Sequence, residues 1–324
     1  MDEAYLDSVS TLMLSPEAVA AHKDIKIVYT PIHGSGVEIV PEFLNKLGFE
    51  NIYHVPEQDV VDGNFPTVMS PNPEEPSALA MAVAVADREG ADLVMATDPD
   101  ADRIGIAVRD NEGKMVLLNG NQTGSILTYY ILRRWSELGK LDGKQYIVKT
   151  IVTTELMRAI AEKYGVKVYN VLTGFKWIAD VIKKNEGETT FVCGGEESYG
   201  FNVGEFVRDK DAPISCAFVA ECAAWAAAQG KTLYQLLQDI YAEFGYYKES
   251  LISVTKKGKA GLEEIAQMMV DYRQNPPAEL AGSPVIKVID YTKPEETGLP
   301  ASNVLQFYNE AGDVVTVRPS GTEP

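Results

Sequence analysis

Ala91-Asp92-Leu93-Val94-Met95-Ala96-Thr97-Asp98-Pro99-Asp100-Ala101-Asp102-Arg103-Ile104-Gly105-Ile106-Ala107-Val108 sets two short apolar runs on either side of an acidic cluster. Residues 91–96 and 104–108 read as buried strands, short and bounded by turn residues. Between them Asp98, Asp100 and Asp102 fall at i, i+2 and i+4 on a tight loop, with Arg103 directly after. Three carboxylates so close repel one another. A shared hard cation relieves the repulsion, and Mg²⁺ suits an oxygen-only site completed by water or phosphate. A solvated acidic turn is the competing reading, weakened by the two apolar flanks and the adjacent arginine. An EF-hand also begins Asp-x-Asp-x-Asp, but it needs Gly at position six and Glu at position twelve. Counted from Asp98 those positions hold Arg103 and Arg109, so the EF-hand reading fails.

Working outward, residues 3–21 read as helical, 24–30 as a strand, 37–47 as a helix closed by Gly48, and 51–55 as a strand. Strands alternating with helices imply parallel pairing. Residues 56–76 are rich in Pro, Asn and Asp and read as a long ordered loop. A helix over 77–90 leads into the acidic strand-loop-strand, and 114–118 finishes a first α/β unit. A second unit of similar layout follows: a long helix over 119–138, strands at 145–150, 166–170 and 190–193, and helices at 154–164, from 173, at 213–228 and at 232–244. From Tyr246 the pattern changes to a strand, a helix over 259–273 and strands at 285–291, 304–308 and 314–317. The expected fold class is α/β: two similar mixed-sheet α/β domains (1–118 and 119–245), then a smaller, truncated α+β domain (246–324).

With 324 residues and a formal net charge of -18, from 47 acidic and 29 basic residues, the chain is too acidic to hold nucleic acid over a broad surface. Any anion it binds must be held by local donors. Three cysteines without framework spacing (Cys193, Cys216, Cys222) argue for reduced thiols and a cytoplasmic location. No apolar run reaches the length of a membrane span, and residues 1–6 show no signal-peptide pattern, so no membrane partner is expected.

Two further loops carry chemistry. Gly194-Gly195-Glu196-Glu197-Ser198-Tyr199-Gly200 follows a strand, and Glu196 with Ser198 offers a carboxylate and a hydroxyl to adjacent sugar hydroxyls. Arg318-Pro319-Ser320-Gly321-Thr322 joins a guanidinium, two hydroxyls and a flexible backbone N–H, suitable for cradling a phosphate. Alone, the acidic Gly-rich turn reads sooner as a structural turn, and the Arg318 loop reads equally well as a surface turn. His33, between Ile32 and Gly34, is a candidate for acid–base work, set against a hydrogen-bonded structural role at a strand end. Lys210 lies in a charged loop whose plain reading is solvation. Lys176, at a helix start, suits packing or anion binding. The three loops all lie at strand ends, where ligands bind in open α/β sheets.

This order of motifs resembles the α-D-phosphohexomutase superfamily, which includes the phosphoglucomutases and phosphomannomutases. Thr97–Arg103 looks like its magnesium loop, Gly195–Gly200 its sugar loop and Arg318–Thr322 its phosphate loop. Thr30-Pro31-Ile32-His33-Gly34 and Thr173-Gly174-Phe175-Lys176-Trp177 also match. The family has four domains, and the two α/β units and the tail would be its second, third and most of its fourth. Its catalytic serine lies in a Ser-His-Asn motif of the first domain. No Ser-His-Asn occurs here, so the resemblance implies a fragment that is inactive by itself.

For the full enzyme the resemblance implies a phosphoserine that exchanges phosphoryl groups with hexose 1- and 6-phosphates of glucose or mannose through a hexose 1,6-bisphosphate. Asp98, Asp100 and Asp102 would hold Mg²⁺, and Arg103 would contact the phosphoserine. Glu196 and Ser198 would hold sugar hydroxyls, with Thr173, Gly174 and Lys176 lining the substrate. Arg318, Ser320, Gly321 and Thr322 would hold the non-reacting phosphate, and Lys210 matches a position proposed as general acid or base. Two other classes compete: a non-catalytic Mg²⁺ and phosphosugar binding module, and a metal-dependent phosphatase. The phosphatase would need Thr or Val after the second aspartate, where Ala101 stands.

Overall fold

The computed structural model describes residues 2–319. Helices α1 (Asp2–Ser10) and α2 (Pro16–Ala21) lead into strand β1 (Lys26–Thr30), α3 (Gly36–Leu47), β2 (Asn51–His54), α4 (Pro76–Glu89), β3 (Leu93–Thr97), β4 (Ile104–Arg109) and β5 (Met115–Leu118). Then come α5 (Gly120–Glu137), β6 (Gln145–Thr150), α6 (Leu156–Lys163), β7 (Lys167–Val171), α7 (Phe175–Lys184), β8 (Thr190–Gly195), β9 (Phe201–Val203), α8 (Ala212–Ala227) and α9 (Leu233–Phe244). The remainder holds α10 (Gly258–Gln274), β10 (Glu279–Leu280), β11 (Ser283–Asp290), α11 (Pro294–Thr297), β12 (Leu305–Asn309) and β13 (Val314–Val317).

The first sheet runs β2-β1-β3-β4-β5 and the second β7-β6-β8-β9. Their first four strands share one plan. In each, the strand order is second, first, third, fourth, with the first three parallel and the fourth antiparallel. The sheets are thus mixed, as expected: parallel where β-α units alternate and antiparallel across the hairpins. Only six residues join β3 to β4, and only five join β8 to β9, too few for the crossover that a parallel return needs. The acidic loop and the Glu-Ser loop thus occupy equivalent hairpin positions.

Two expectations are corrected. The continuous helix over 3–21 is two helices, because Pro16 starts α2 and has no N–H to continue the first. The freed amides are not lost: Leu14 N and Ser15 N donate to the Glu221 carboxylate at 2.9 and 2.7 Å. The strand expected from Tyr246 is absent. Residues 246–257 have no regular structure, and Leu251 and Ile252 are more than four-fifths exposed. Apolar and β-branched residues become a strand only where a neighbouring strand takes their backbone hydrogen bonds.

Residues up to 249 form one compact unit and the rest a second. Within the first unit the main core runs from Leu6 through Phe43, Met95, Tyr130 and Phe218 to Tyr241, reaching both sheets, with smaller clusters around Val28 and around Tyr146. Its centre is α8, apolar on nearly every side and correspondingly buried on every side. The three cysteines are buried and unpaired. The second unit is a four-stranded antiparallel sheet, β10-β11-β12-β13, with Met269 of α10 packed on Leu305 and Phe307. Among the described residues no helix is long and apolar enough to cross a membrane.

Glu221 is the one charged residue on α8, and its burial pushes its carboxyl above the usual range, against the two backbone amides that favour the charge. Between the ordinary carboxyl range and that raised value, the fold holds a proton that the unfolded chain has released. Stability then falls with rising pH across the window. Glu221→Gln keeps an acceptor and cannot titrate. Thermal melts at pH 5 and pH 8 are expected to show the parent losing ground to Glu221→Gln at the higher pH. A constant difference between the two proteins counts against it.

Candidate functional site

The acidic loop is held in shape by its own backbone. Asp98 Oδ1 accepts from the amides of Asp102 and Arg103 at 3.0 and 2.9 Å. Ala101 takes a left-handed φ of 56°, which costs a side-chain-bearing residue energy and reverses the chain within six residues. The result gathers one oxygen from each of Asp98, Asp100 and Asp102 within 4.8 Å of one another. Asp98 is buried, Asp102 half-buried and Asp100 exposed. Burial, with Asp102 and Asp100 adding to it, pushes the Asp98 carboxyl up to about 7, although the Arg103 amide works against the shift. Asp102 Oδ1 is buried with no hydrogen-bond partner among the described residues. Clustered carboxylates with one oxygen lacking a hydrogen-bond partner fit a hard divalent cation, and small side-chain rotations would bring them to a common centre.

Arg103 spreads its guanidinium over Glu74 (3.6 Å), Asp102 (3.6 Å) and Asp98 (3.8 Å). Glu74, from the proline-rich loop before α4, had no signal in the sequence. That loop packs on the strand after the acids: a Cβ on Gly105 would lie 2.5 Å from Pro73 O.

The Glu-Ser loop abuts the acidic loop. Arg103 and Gly200 form an antiparallel bridge, and Ile104 N donates to Tyr199 O at 3.1 Å. Lys210 reaches from the start of α8 to Asp102, Nζ to Oδ2 at 2.5 Å. Burial pulls the Lys210 ammonium down, but Asp102 more than offsets this and its pKa ends above the ordinary lysine value. Glu196 is buried, and its Oε1 accepts from Gly174 N at 2.8 Å. Its burial raises its pKa, opposed by that amide. Thus Gly174, on the loop opening α7, and Glu196 meet. Ser198 is half-buried, Lys176 is exposed with its ammonium over the Trp177 ring, and the Thr173 hydroxyl oxygen is buried without a hydrogen-bond partner among the described residues.

Glu197 faces the other way. Its Oε2 accepts from Thr150 Oγ1 and Thr153 Oγ1 at 3.1 and 3.2 Å. The loop carrying those threonines is knotted around Lys149, fully buried at the end of β6. Lys149 Nζ donates to Thr153 O and Thr150 O at 2.8 and 3.1 Å and pairs with Glu155 Oε1 at 2.8 Å. Sequence reasoning missed Lys149, because a lysine in a strand reads as an edge or solvent residue.

His33 is not joined to this cluster by a hydrogen bond. It is buried, with Nδ1 donating to Val60 O at 2.8 Å and Nε2 2.8 Å from Thr67 Oγ1, so both nitrogens serve the 56–67 loop. The neighbouring Gly34 is what touches the acids: Ser35 N donates to Pro99 O at 2.8 Å, and a Cβ on Gly34 would fall 2.4 Å from Pro99 Cα. In the second unit Arg318 is exposed just after β13. Ser320, Gly321 and Thr322 lie outside the described residues.

Comparison with known proteins matches two family models. Residues 3–113 match phosphoglucomutase/phosphomannomutase alpha/beta/alpha domain II, and residues 119–244 match domain III. A phosphoglucomutase of Staphylococcus aureus (strain MRSA252) is 38% identical over 311 residues, covering 93% of this chain and 55% of the relative. The chain therefore spans about half the length of that relative. Among solved structures, parafusin, a phosphoglucomutase from Paramecium, matches with a TM-score of 0.69 at 17% identity over 99% of this chain and 55% of its own. A phosphoglucomutase/phosphomannomutase family protein from Burkholderia thailandensis matches with a TM-score of 0.66 at 17% identity, covering 100% and 58%. These two likenesses speak for the fold alone.

Proposed function

Because this chain belongs to the phosphoglucomutase/phosphomannomutase family, we propose that it supplies the metal and sugar sites of an enzyme interconverting hexose 1- and 6-phosphates. The observation that carries the proposal is the union of the two equivalent hairpin loops: the acidic loop bridged to the Glu-Ser loop through Arg103 and Gly200, with Lys210 spanning both. Asp98, Asp100 and Asp102 would hold Mg²⁺, which when bound offsets negative charge on a transferring phosphoryl group. Arg103 would steer the reacting phosphate, kept aimed by Glu74. Glu196 and Ser198 would grip hydroxyls of a glucose or mannose phosphate beside Thr173, Gly174 and Lys176. Arg318 with Ser320, Gly321 and Thr322 would hold the phosphate that is not reacting. Lys210 would be the group that moves a proton, and His33 would shape the loop behind the acids.

The chain has no Ser-His-Asn motif, so the phosphoryl-carrying serine and the hexose 1,6-bisphosphate exchange would draw on residues other than these. By itself the chain then acts as a Mg²⁺ and phosphosugar binding module. Calorimetric titration of glucose 1-phosphate against the chain is expected to show weak binding, and no conversion to glucose 6-phosphate. Glu196→Ala and Arg318→Ala are expected each to remove most of it, since a bidentate guanidinium is the strongest single contact in the phosphate loop. Arg103→Ala is expected to change it little. Equal losses from both arginines, or no loss from Arg318→Ala, would show the roles misassigned.

A further inference from the structure

We propose that Lys210 is the resident counter-ion of the acidic loop: its ammonium neutralises Asp102 in the cation-free protein and leaves that carboxylate when the three aspartates turn to a divalent cation. The inference rests on the reading of Asp98, Asp100 and Asp102 as metal ligands. It concerns how occupancy of that site sets the position of a lysine.

Three observations carry it. First, Asp102 is claimed twice. Its Oδ2 is 2.5 Å from Lys210 Nζ, and its Oδ1, buried without a hydrogen-bond partner among the described residues, lies 3.6 Å from Arg103 Nε, while the carboxylate belongs to a group of three within metal-binding reach. A lysine ammonium and a divalent ion on one carboxylate repel each other, so occupation by one weakens the other. Secondly, the lysine has a fixed base. Asp211 N donates to Phe201 O and Ala212 N to Ala101 O, both at 3.0–3.1 Å. The Asp211 carboxylate caps α8 through Ile214 N at 3.0 Å and accepts from the Tyr5 phenol at 2.7 Å. Thirdly, the lysine stem has a track to move along. It lies across Gly200, where any Cβ would come within 2.3 Å of Lys210 Cδ. A rigid base with a four-carbon arm over a glycine lets the ammonium change partner without moving the backbone. The charges facing it are Asp102, Glu196 and Asp209, with Arg103 and Asp98 behind Asp102. Once off Asp102, the ammonium is left to Glu196 and to any anion bound beside the Glu-Ser loop.

The test is Mn²⁺ binding to the whole 324-residue chain, followed by electron paramagnetic resonance, for the parent, Lys210→Met, Lys210→Arg and Asp100→Asn. Lys210→Met is expected to tighten Mn²⁺ roughly tenfold, the size of one charge removed a few ångströms from a divalent ion in a largely aqueous setting. Lys210→Arg, which keeps the charge, is expected to stay close to the parent. Unchanged or weaker binding in Lys210→Met overturns the proposal. If Asp100→Asn weakens Mn²⁺ while Lys210→Met fails to tighten it, only the counter-ion role falls. If the parent binds no Mn²⁺, the metal reading and the counter-ion role fall together. A second measurement does not depend on Lys210→Met folding. With lysines ¹³C-methylated, the resonance missing from Lys210→Arg is expected to shift when Mg²⁺ is added to the parent, and a resonance that stays in place overturns the exchange.

Discussion

Asp100→Asn lowers the affinity of this chain for Mg²⁺ or Mn²⁺ by about 10²-fold and leaves its melting temperature unchanged. The two halves of that expectation come from different features of the loop. Asp100 is exposed, so its carboxylate is not needed for folding. It is nevertheless one of three carboxylates gathered within 4.8 Å. Losing even an outer-shell partner of a metal costs ~10–100-fold in affinity, and losing a charged ligand sits at or beyond the upper end. Asp98→Asn is expected to differ by costing stability as well, because Asp98 Oδ1 accepts the two amides that close the loop. Calorimetric titration of Mg²⁺ with parallel thermal melts separates the two cases. Parent-like Mg²⁺ binding by Asp100→Asn would remove the aspartates from the metal role.

Lys149→Met costs about 3 kcal/mol of folding stability, the lower end of the range for removing one partner of a buried ion pair. Lys149 is fully buried, and burial pulls its pKa down even beside Glu155. Methionine fills the same space but offers no donors. Thr150 O and Thr153 O then lose their charged partner, each an unsatisfied acceptor worth ~1–3 kcal/mol. Glu155 is about half exposed and regains water, which limits the total. For a unit of this size the loss corresponds to a drop in Tm of roughly 6–12 °C. The threonines that Lys149 holds in turn hold Glu197, so weakened glucose 1-phosphate binding is expected alongside the lower Tm. A variant that melts within 1 °C of the parent would mean that the loop is secured elsewhere. Glu155→Gln in the same background is expected to recover little, because the lost bonds are mainly to backbone carbonyls.

Much of the site is local and therefore legible along the chain. Asp98, Asp100 and Asp102 sit together because six residues must turn between two apolar runs, and spacing alone places their carboxylates on one small loop. The apolar runs themselves mark β3, β4 and β8, since a buried strand has no other composition available to it. The Glu-Ser loop is visible for the same reason, as a glycine-flanked turn directly after such a run.

What the chain order leaves open is everything that depends on which loops meet. Two hairpins separated by about a hundred residues touch through Arg103 and Gly200 because both sheets share one strand order and pack on one core. Nothing in either loop announces the other. Lys149 and Glu221 look like surface residues in sequence, yet each is buried because distant backbone groups converge on it: the 150–155 loop on the lysine, the amides of Leu14 and Ser15 on the glutamate. The segment 246–257 shows the converse. Its apolar and β-branched residues suit a strand, but no neighbouring strand among the described residues pairs with it. Periodicity and turn chemistry are properties of neighbours in the chain. Burial of a charge, and the pairing of one strand edge with another, are properties of neighbours in space, and the tertiary structure alone brings those together.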